Sequence, residues 1–131
     1  MNKFYLGKRS IGRLSRVHPL LSACVCLAIK KTTLDFTVLE GVRSVGRQEQ
    51  LYETGASQTF DSKHLVQGDG YCHAVDLGPL VDGKVPWDTW NAFVVVNEAM
   101  QKAAEELGAT ITWGGSWTSF KDGPHFQIEG V

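Results

Sequence analysis

Among the four histidines of this chain, His64 and His125 stand where an imidazole has chemistry open to it. His64 lies within a long polar stretch, and His125 opens a short apolar segment directly after Asp122-Gly123-Pro124. Asp76 sits inside Ala74-Val75-Asp76-Leu77, where a buried carboxylate is costly unless it is paired or bound to a metal. Two histidines and one carboxylate, with a water in the fourth position, make a recurring catalytic zinc site. A metal in such a site brings the pKa of its water toward ~7 and polarises a carbonyl for attack. Spacing alone does not single this reading out. Asp76 can equally pair with an arginine, and a lone histidine is more often a satisfied structural residue.

The elements that must position these residues follow from local signals. Ser10 is placed to cap a short helix running to about Arg16. Pro19 suits the first turn of a second helix reaching about Lys31, because its missing N–H would have no partner there. Phe36-Thr37-Val38-Leu39 reads as a strand. Ser44 is placed to cap a third helix, from Val45 to about Thr54, stopped by Gly55. From Gly55 to Cys72 the chain is polar, and a loop that long in a small domain is usually functional or disordered. Ala74-Val75-Asp76-Leu77 reads as a short strand ending in a Gly78-Pro79 turn. Val81 to Pro86 reads as a small hairpin with Asp82-Gly83 at its tip. The longest helix is expected from Trp87 to Leu107, with Trp90, Phe93, Val94, Asn97, Met100, Gln101, Ala104 and Leu107 on one face. Gly108 ends it. Ile111-Thr112-Trp113 and His125-Phe126-Gln127-Ile128 read as strands on either side of a loop. Helices first and strands later, without regular alternation, predict an α+β domain with a small antiparallel sheet packed against helices.

Composition bounds the rest. At 131 residues the chain fits one domain, residues 1–131, able to bury a core without disulfides. The net charge of −1 gives no basic excess of the kind nucleic-acid binding requires. Cys24, Cys26 and Cys72 are an odd set, which argues against complete pairing and for folding in a reducing compartment. Cys24 and Cys26 read as buried small hydrophobes. Lys3, Lys8, Arg9, Arg13 and Arg16 precede the apolar run 20–29, a signal-peptide-like pattern. The run is followed at once by Lys30-Lys31 with no small-residue cleavage site, and it is too short to span a membrane, so a core helix is favoured.

Ser62-Lys63-His64, Ala74-Val75-Asp76-Leu77 and Asp122-Gly123-Pro124-His125-Phe126 together resemble the signature of the D-alanyl-D-alanine carboxypeptidase and L-alanoyl-D-glutamate endopeptidase family. That family shares its zinc fold with the hedgehog signalling domain. Glu40-Gly41-Val42-Arg43-Ser44, Arg47-Gln48, Leu51-Tyr52 and Gly55-Ala56-Ser57-Gln58-Thr59 are similar to its upstream segment. The resemblance runs from about Leu6 to Ile128, and the short chain looks like the phage endolysins of the group. It implies His64, Asp76 and His125 as ligands of one zinc ion per chain, and Asp122 as general base. The Gly123-Pro124 turn is compatible with that role, although Asp before Gly is equally a turn former. It implies Arg43 as a catalytic and substrate-facing group, against the plainer reading of an arginine paired with Glu40 or Glu49. Ser62 is implied as a support for the first ligand or the substrate, against a loop serine bonding its own backbone. Trp113 and Trp117 are candidates to line the substrate groove, or else to pack.

One departure concerns the first ligand. The family spaces its first histidine closer to its aspartate, with a glycine between. Here twelve residues separate His64 from Asp76, Cys72 falls in the glycine's place, and Gln67 to Tyr71 looks inserted. His73 is therefore a rival to His64. His64 is preferred for its Ser-x-His context, and alternation could turn His73 away from the Asp76 face. Cys72 beside His73 makes a poor cysteine-peptidase dyad, since neighbours on an extended chain point apart. As a fourth zinc ligand Cys72 would close the site and make it structural.

The resemblance implies a zinc peptidase cutting the L-alanyl–D-glutamate bond of peptidoglycan, acting as a phage endolysin. The expected setting is the host cytoplasm before lysis and the periplasm or cell wall afterwards. A monomer, with no nucleic-acid partner and no membrane insertion, is expected. A D-alanyl-D-alanine carboxypeptidase is the alternative with the same chemistry, and a non-catalytic wall-binding module is the alternative without it.

Overall fold

A computed structural model describes residues 4–57, 59 and 61–131. Lys3 and Gln58, named above in the basic N-terminal stretch and in the family-like segment, lie outside the described residues. The elements in chain order are α1 (Lys8–Arg13), α2 (Pro19–Lys31), β1 (Phe36–Glu40), α3 (Val45–Glu53), β2 (Ala74–Pro79), α4 (Trp90–Leu107), β3 (Thr110–Trp113) and β4 (His125–Glu129). The strands form one antiparallel sheet in the order β1-β2-β4-β3. The fold is α+β, with a small antiparallel sheet backed by helices.

Pro19 opens α2 as expected, and the His18 Nδ1 accepts the Leu20 N–H at 3.1 Å as its cap. Ser44 caps α3 by accepting the Arg47 N–H at 3.1 Å. Gly108 ends α4 at φ 70°, the left-handed conformation that costs glycine least. Four expectations shift. Ser10 does not cap α1 but lies buried inside it, its hydroxyl meeting Thr37 Oγ1 and the Val38 N–H, both at 3.0 Å. Gly78-Pro79 is not a turn but the end of β2, paired with Thr37 and Phe36. The inward face of α4 is rotated, so that Val96, Ala99 and Ala103 are buried while Trp90 and Leu107 are exposed. Cys24 is buried, whereas Cys26 is exposed on the outer side of α2.

α2 and α4 pack on each other and, together, on one face of the sheet. Ala28, Ala99, Ala103 and Ala104 allow a close approach. Val75 and Leu77 of β2 and Phe126 and Ile128 of β4 point into this core, each worth about 1.5–3 kcal/mol of burial. Strand alternation then fixes what the opposite face carries: Asp76 from β2, and His125 and Gln127 from β4. No helix among the described residues is long and apolar enough to cross a membrane.

Candidate active site

Register brings the second and third expected ligands together, because Asp76 on β2 is directly paired with His125 on β4. His64 arrives from the loop before β2, its backbone N–H bonded to Ser62 Oγ at 3.1 Å. Its Nε2 lies 3.1 Å from Asp76 Oδ1, and His125 Nδ1 lies 3.5 Å from the same oxygen. One ligand atom from each of the three residues falls within 4.8 Å of the others.

The tautomers fit a metal. A carbonyl only accepts, so the 2.8 Å contact between His64 Nδ1 and Gly41 O is an N–H donation, and in the neutral ring Nε2 is then the bare nitrogen facing Asp76. His125 Nε2 faces Gln127 Oε1 at 2.8 Å, which leaves its Nδ1 bare. The Gln127 amide is fixed in turn by donating to Glu129 Oε2 at 3.0 Å. Two bare imidazole nitrogens and a carboxylate thus converge, each imidazole held from behind by an acceptor, the arrangement usual for metal-bound histidines.

Electrostatics separates the two aspartates. Burial alone would raise Asp76, but in the metal-free site the protonated rings of His125 and His64 donate to it, and their hydrogen bonds and charges outweigh burial and hold it well below the usual carboxylate range. Burial would lower His125, and Asp76 reverses that and raises it. Asp122 is pushed up, first by burial and then by the negative charge of Asp76.

A cleft of about 560 Å³ opens over this cluster. Arg43, Ser62, His64, Asp76, Asp122 and His125 all line it. Asp122 is delivered by a turn in which the His125 N–H donates to Asp122 O at 3.2 Å. Gly114 lets that turn dock, since a Cβ there would collide with the Asp122 carbonyl. Arg43 lines the cleft and carries the pairing with Glu40 expected of a structural arginine. It also donates to Gln48 Oε1 at 2.8 Å and lies 3.7 Å from Asp76 Oδ2.

The rival histidine goes elsewhere. His73 Nε2 donates to Asp69 Oδ2 at 2.8 Å, away from the cluster. Cys72 is fully buried beside it, its thiol raised chiefly by burial, and it takes no part in the cluster. The inserted segment closes on itself: Val66 bridges Cys72, and the Gln67 N–H bonds Tyr71 O at 2.8 Å. The extra residues loop out as a turn, so His64 and Asp76 meet despite their separation in sequence.

Residues 2–128 match the family of phage L-alanyl-D-glutamate peptidases. The chain belongs to this family. It is 34% identical over 122 residues to the L-alanyl-D-glutamate peptidase of Escherichia phage T5, covering 91% of this chain and 85% of that one. It is 26% identical to the peptidoglycan L-alanyl-D-glutamate endopeptidase CwlK of Bacillus subtilis, covering 87% and 74% of the two chains. The crystal structure of the Serratia marcescens L-Ala D-Glu endopeptidase ChiX superposes with a TM-score of 0.85 at 38% identity, covering 96% of this chain and 91% of that one.

Within this family member, one expected groove residue is displaced. Trp113 does not line the cleft; it donates its indole N–H to Gly123 O at 2.7 Å and packs against Trp90, 5.5 Å between centroids. A large ring at the end of an edge strand finds its partner beneath the Asp122 turn, which it buttresses. Trp117 does line the cleft, 5.1 Å from the His125 ring. Three supports escaped the reading of single residues: Gly41 and Gln127 behind the histidines, and Gln48, which is buried and bonds Arg43, Ser57 Oγ and Thr59 O. Gln127 carried a signal, since it sits two residues after His125 on the same strand face.

Proposed function

We propose that this chain is a zinc peptidoglycan endopeptidase that hydrolyses the L-alanyl–D-glutamate bond of the stem peptide, acting as a phage endolysin. Membership of the phage L-alanyl-D-glutamate peptidase family supports the bond. The convergence of His64 Nε2, His125 Nδ1 and the Asp76 carboxylate in a cleft carries the chemistry. Zinc suits two imidazoles and one carboxylate.

His64, Asp76 and His125 would hold the ion, one per chain, and Asp122 lies in the same cleft with a raised proton affinity. A zinc ion bound there supplies Lewis acidity that activates water and polarises the scissile carbonyl. The Asp122 carboxylate takes the proton of the attacking water and returns it to the leaving amine of D-glutamate. Three of the five Arg43 donors are engaged by Glu40 and Gln48, and the remainder are available to the oxygen of the tetrahedral intermediate. Ser62 steadies the loop that presents His64. The protein acts as a monomer, made in the host cytoplasm and reaching the wall at lysis.

The test is a digest of purified walls followed by labelling of new amino groups. The label is expected on glutamate, whose amine this cleavage frees. Release of free D-alanine instead would mean a carboxypeptidase and would overturn the bond assignment.

A further inference from the structure

The charges lining the cleft are not equally spent. Its cations are Arg43, Arg47 and Lys63, and its carboxylates are Glu40, Asp61, Asp76 and Asp122. Arg43 is engaged by Glu40, Gln48 and Asp76. Arg47 and Lys63 are exposed, and among the described residues neither side chain makes a hydrogen bond or an ion pair. Arg47 stands in the first turn of α3, held by its backbone N–H bond to Ser44. Lys63 stands next to His64, and its carbonyl accepts the His73 N–H at 2.8 Å. Both backbones are therefore fixed while both charges remain uncommitted in the lining of the same cleft.

The substrate supplies a matching charge. A glutamyl residue inside a peptide spends its amine and one carboxyl on the chain and leaves the other carboxyl free. In an L-alanyl–D-glutamate bond, that free carboxylate belongs to the residue whose amine is released. It therefore enters the cleft close to the scissile bond.

We propose that Arg47 and Lys63 form an anion subsite that reads the free carboxylate of the D-glutamyl residue on the leaving side of the bond. The inference rests on the endopeptidase reading above. The subsite binds ground state and transition state alike, so its contribution falls on KM and not on kcat. Arg43 is already paired with Glu40 and faces Asp76, which leaves Arg47 and Lys63 as the cleft cations without a carboxylate partner among the described residues.

Two stem peptides differing only at this residue decide the matter, one carrying D-glutamate and the other its carboxamide. The zinc-loaded native protein is expected to cut the acid with a KM roughly ten-fold lower than the amide. Arg47→Gln should raise the KM for the acid by about the same factor, leaving kcat and the KM for the amide unchanged. Lys63→Gln should act in the same direction, and the double variant should lose the discrimination altogether. Equal treatment of the two peptides by the native protein would overturn the subsite. So would equal losses on both peptides in the variants. If the native protein cuts neither peptide yet releases D-alanine from walls, the bond assignment itself fails, and the subsite with it.

Discussion

Asp76 and Asp122 are the same residue type in the same cleft, and their surroundings drive them apart. Asp76 is held ionised by two imidazoles, whereas burial and the Asp76 charge raise the proton affinity of Asp122. Such a split is what the proposed roles of ligand for Asp76 and proton carrier for Asp122 call for. Asp122→Asn keeps the shape and removes the proposed base. Hydrolysis of the stem peptide should fall by about 10²–10⁴-fold while zinc content and melting temperature stay unchanged. Retained hydrolysis would dismiss Asp122 as the base; a wall-binding module would also tolerate the change. The titration of the ligands gives a second expectation, for metal-free protein. Asp76 is depressed on folding, so its contribution is full above about 3.9 and is lost as pH falls through its folded value. His125 is raised, so its contribution is full below about 6.5 and is lost as pH rises through its folded value. On these two groups chelated protein is favoured between roughly pH 4 and 6.5, and Asp122, raised on folding, tilts that window toward its acid side. Zinc-loaded protein should not show the alkaline decline, because its histidines are held neutral by the ion. Melting curves across pH, with and without chelator, check this.

At the scale of elements, the site is a product of register. Between Val38 and Glu40 the pairing of β1 with β2 slips by one residue, so Glu40 rather than Leu39 stands opposite Asp76. That bulge re-aims Glu40 to the site face, where it meets Arg43. Directly after β1, Gly41 lies against α1. A Cβ there would collide with Arg13 O, and the Gly41 carbonyl is the acceptor that orients His64. Gly41→Ala should cost about 1–3 kcal/mol of stability by overpacking. It should also weaken zinc binding by about 10–100-fold through the displaced carbonyl. Loss of stability without loss of zinc affinity, read by thermal melts and metal titration, would show that the carbonyl does not hold the ring. The sequence made the helices and strands legible through Pro19, Ser44 and Gly108 and through the alternation around Asp76. The three residues His64, Asp76 and His125 were legible as a group only because several motifs coincided. What stayed hidden depends on contacts between distant segments. The slip in β1, the turn that absorbs the insertion, and the rotation of α4 each follow from packing partners that no local pattern names.

Across the whole molecule the site and the core are on opposite faces of one sheet. The core of α2, α4, Val38, Val75, Leu77, Phe126 and Ile128 contains none of the three convergent residues. No buried side-chain polar atom among the described residues lacks a hydrogen-bond partner: Gly41 O and Asp76 hold His64, and Gln127 holds His125. The fold should therefore survive removal of zinc, unlike a small domain whose only core is its metal. A zinc ion held by the proposed ligands would still add stability by mass action, about 4 kcal/mol when free zinc is a thousand times its dissociation constant. For a chain of this size that corresponds to a fall in Tm on the order of 10–20 °C on chelation. The far-ultraviolet signal of the four helices should be retained at 25 °C, and hydrolysis should vanish and return when zinc is restored. Collapse of the helical signal on chelation would instead make the ion a structural staple. The sheet would then depend on the metal, and the independence of core and site argued from their opposite faces would fail.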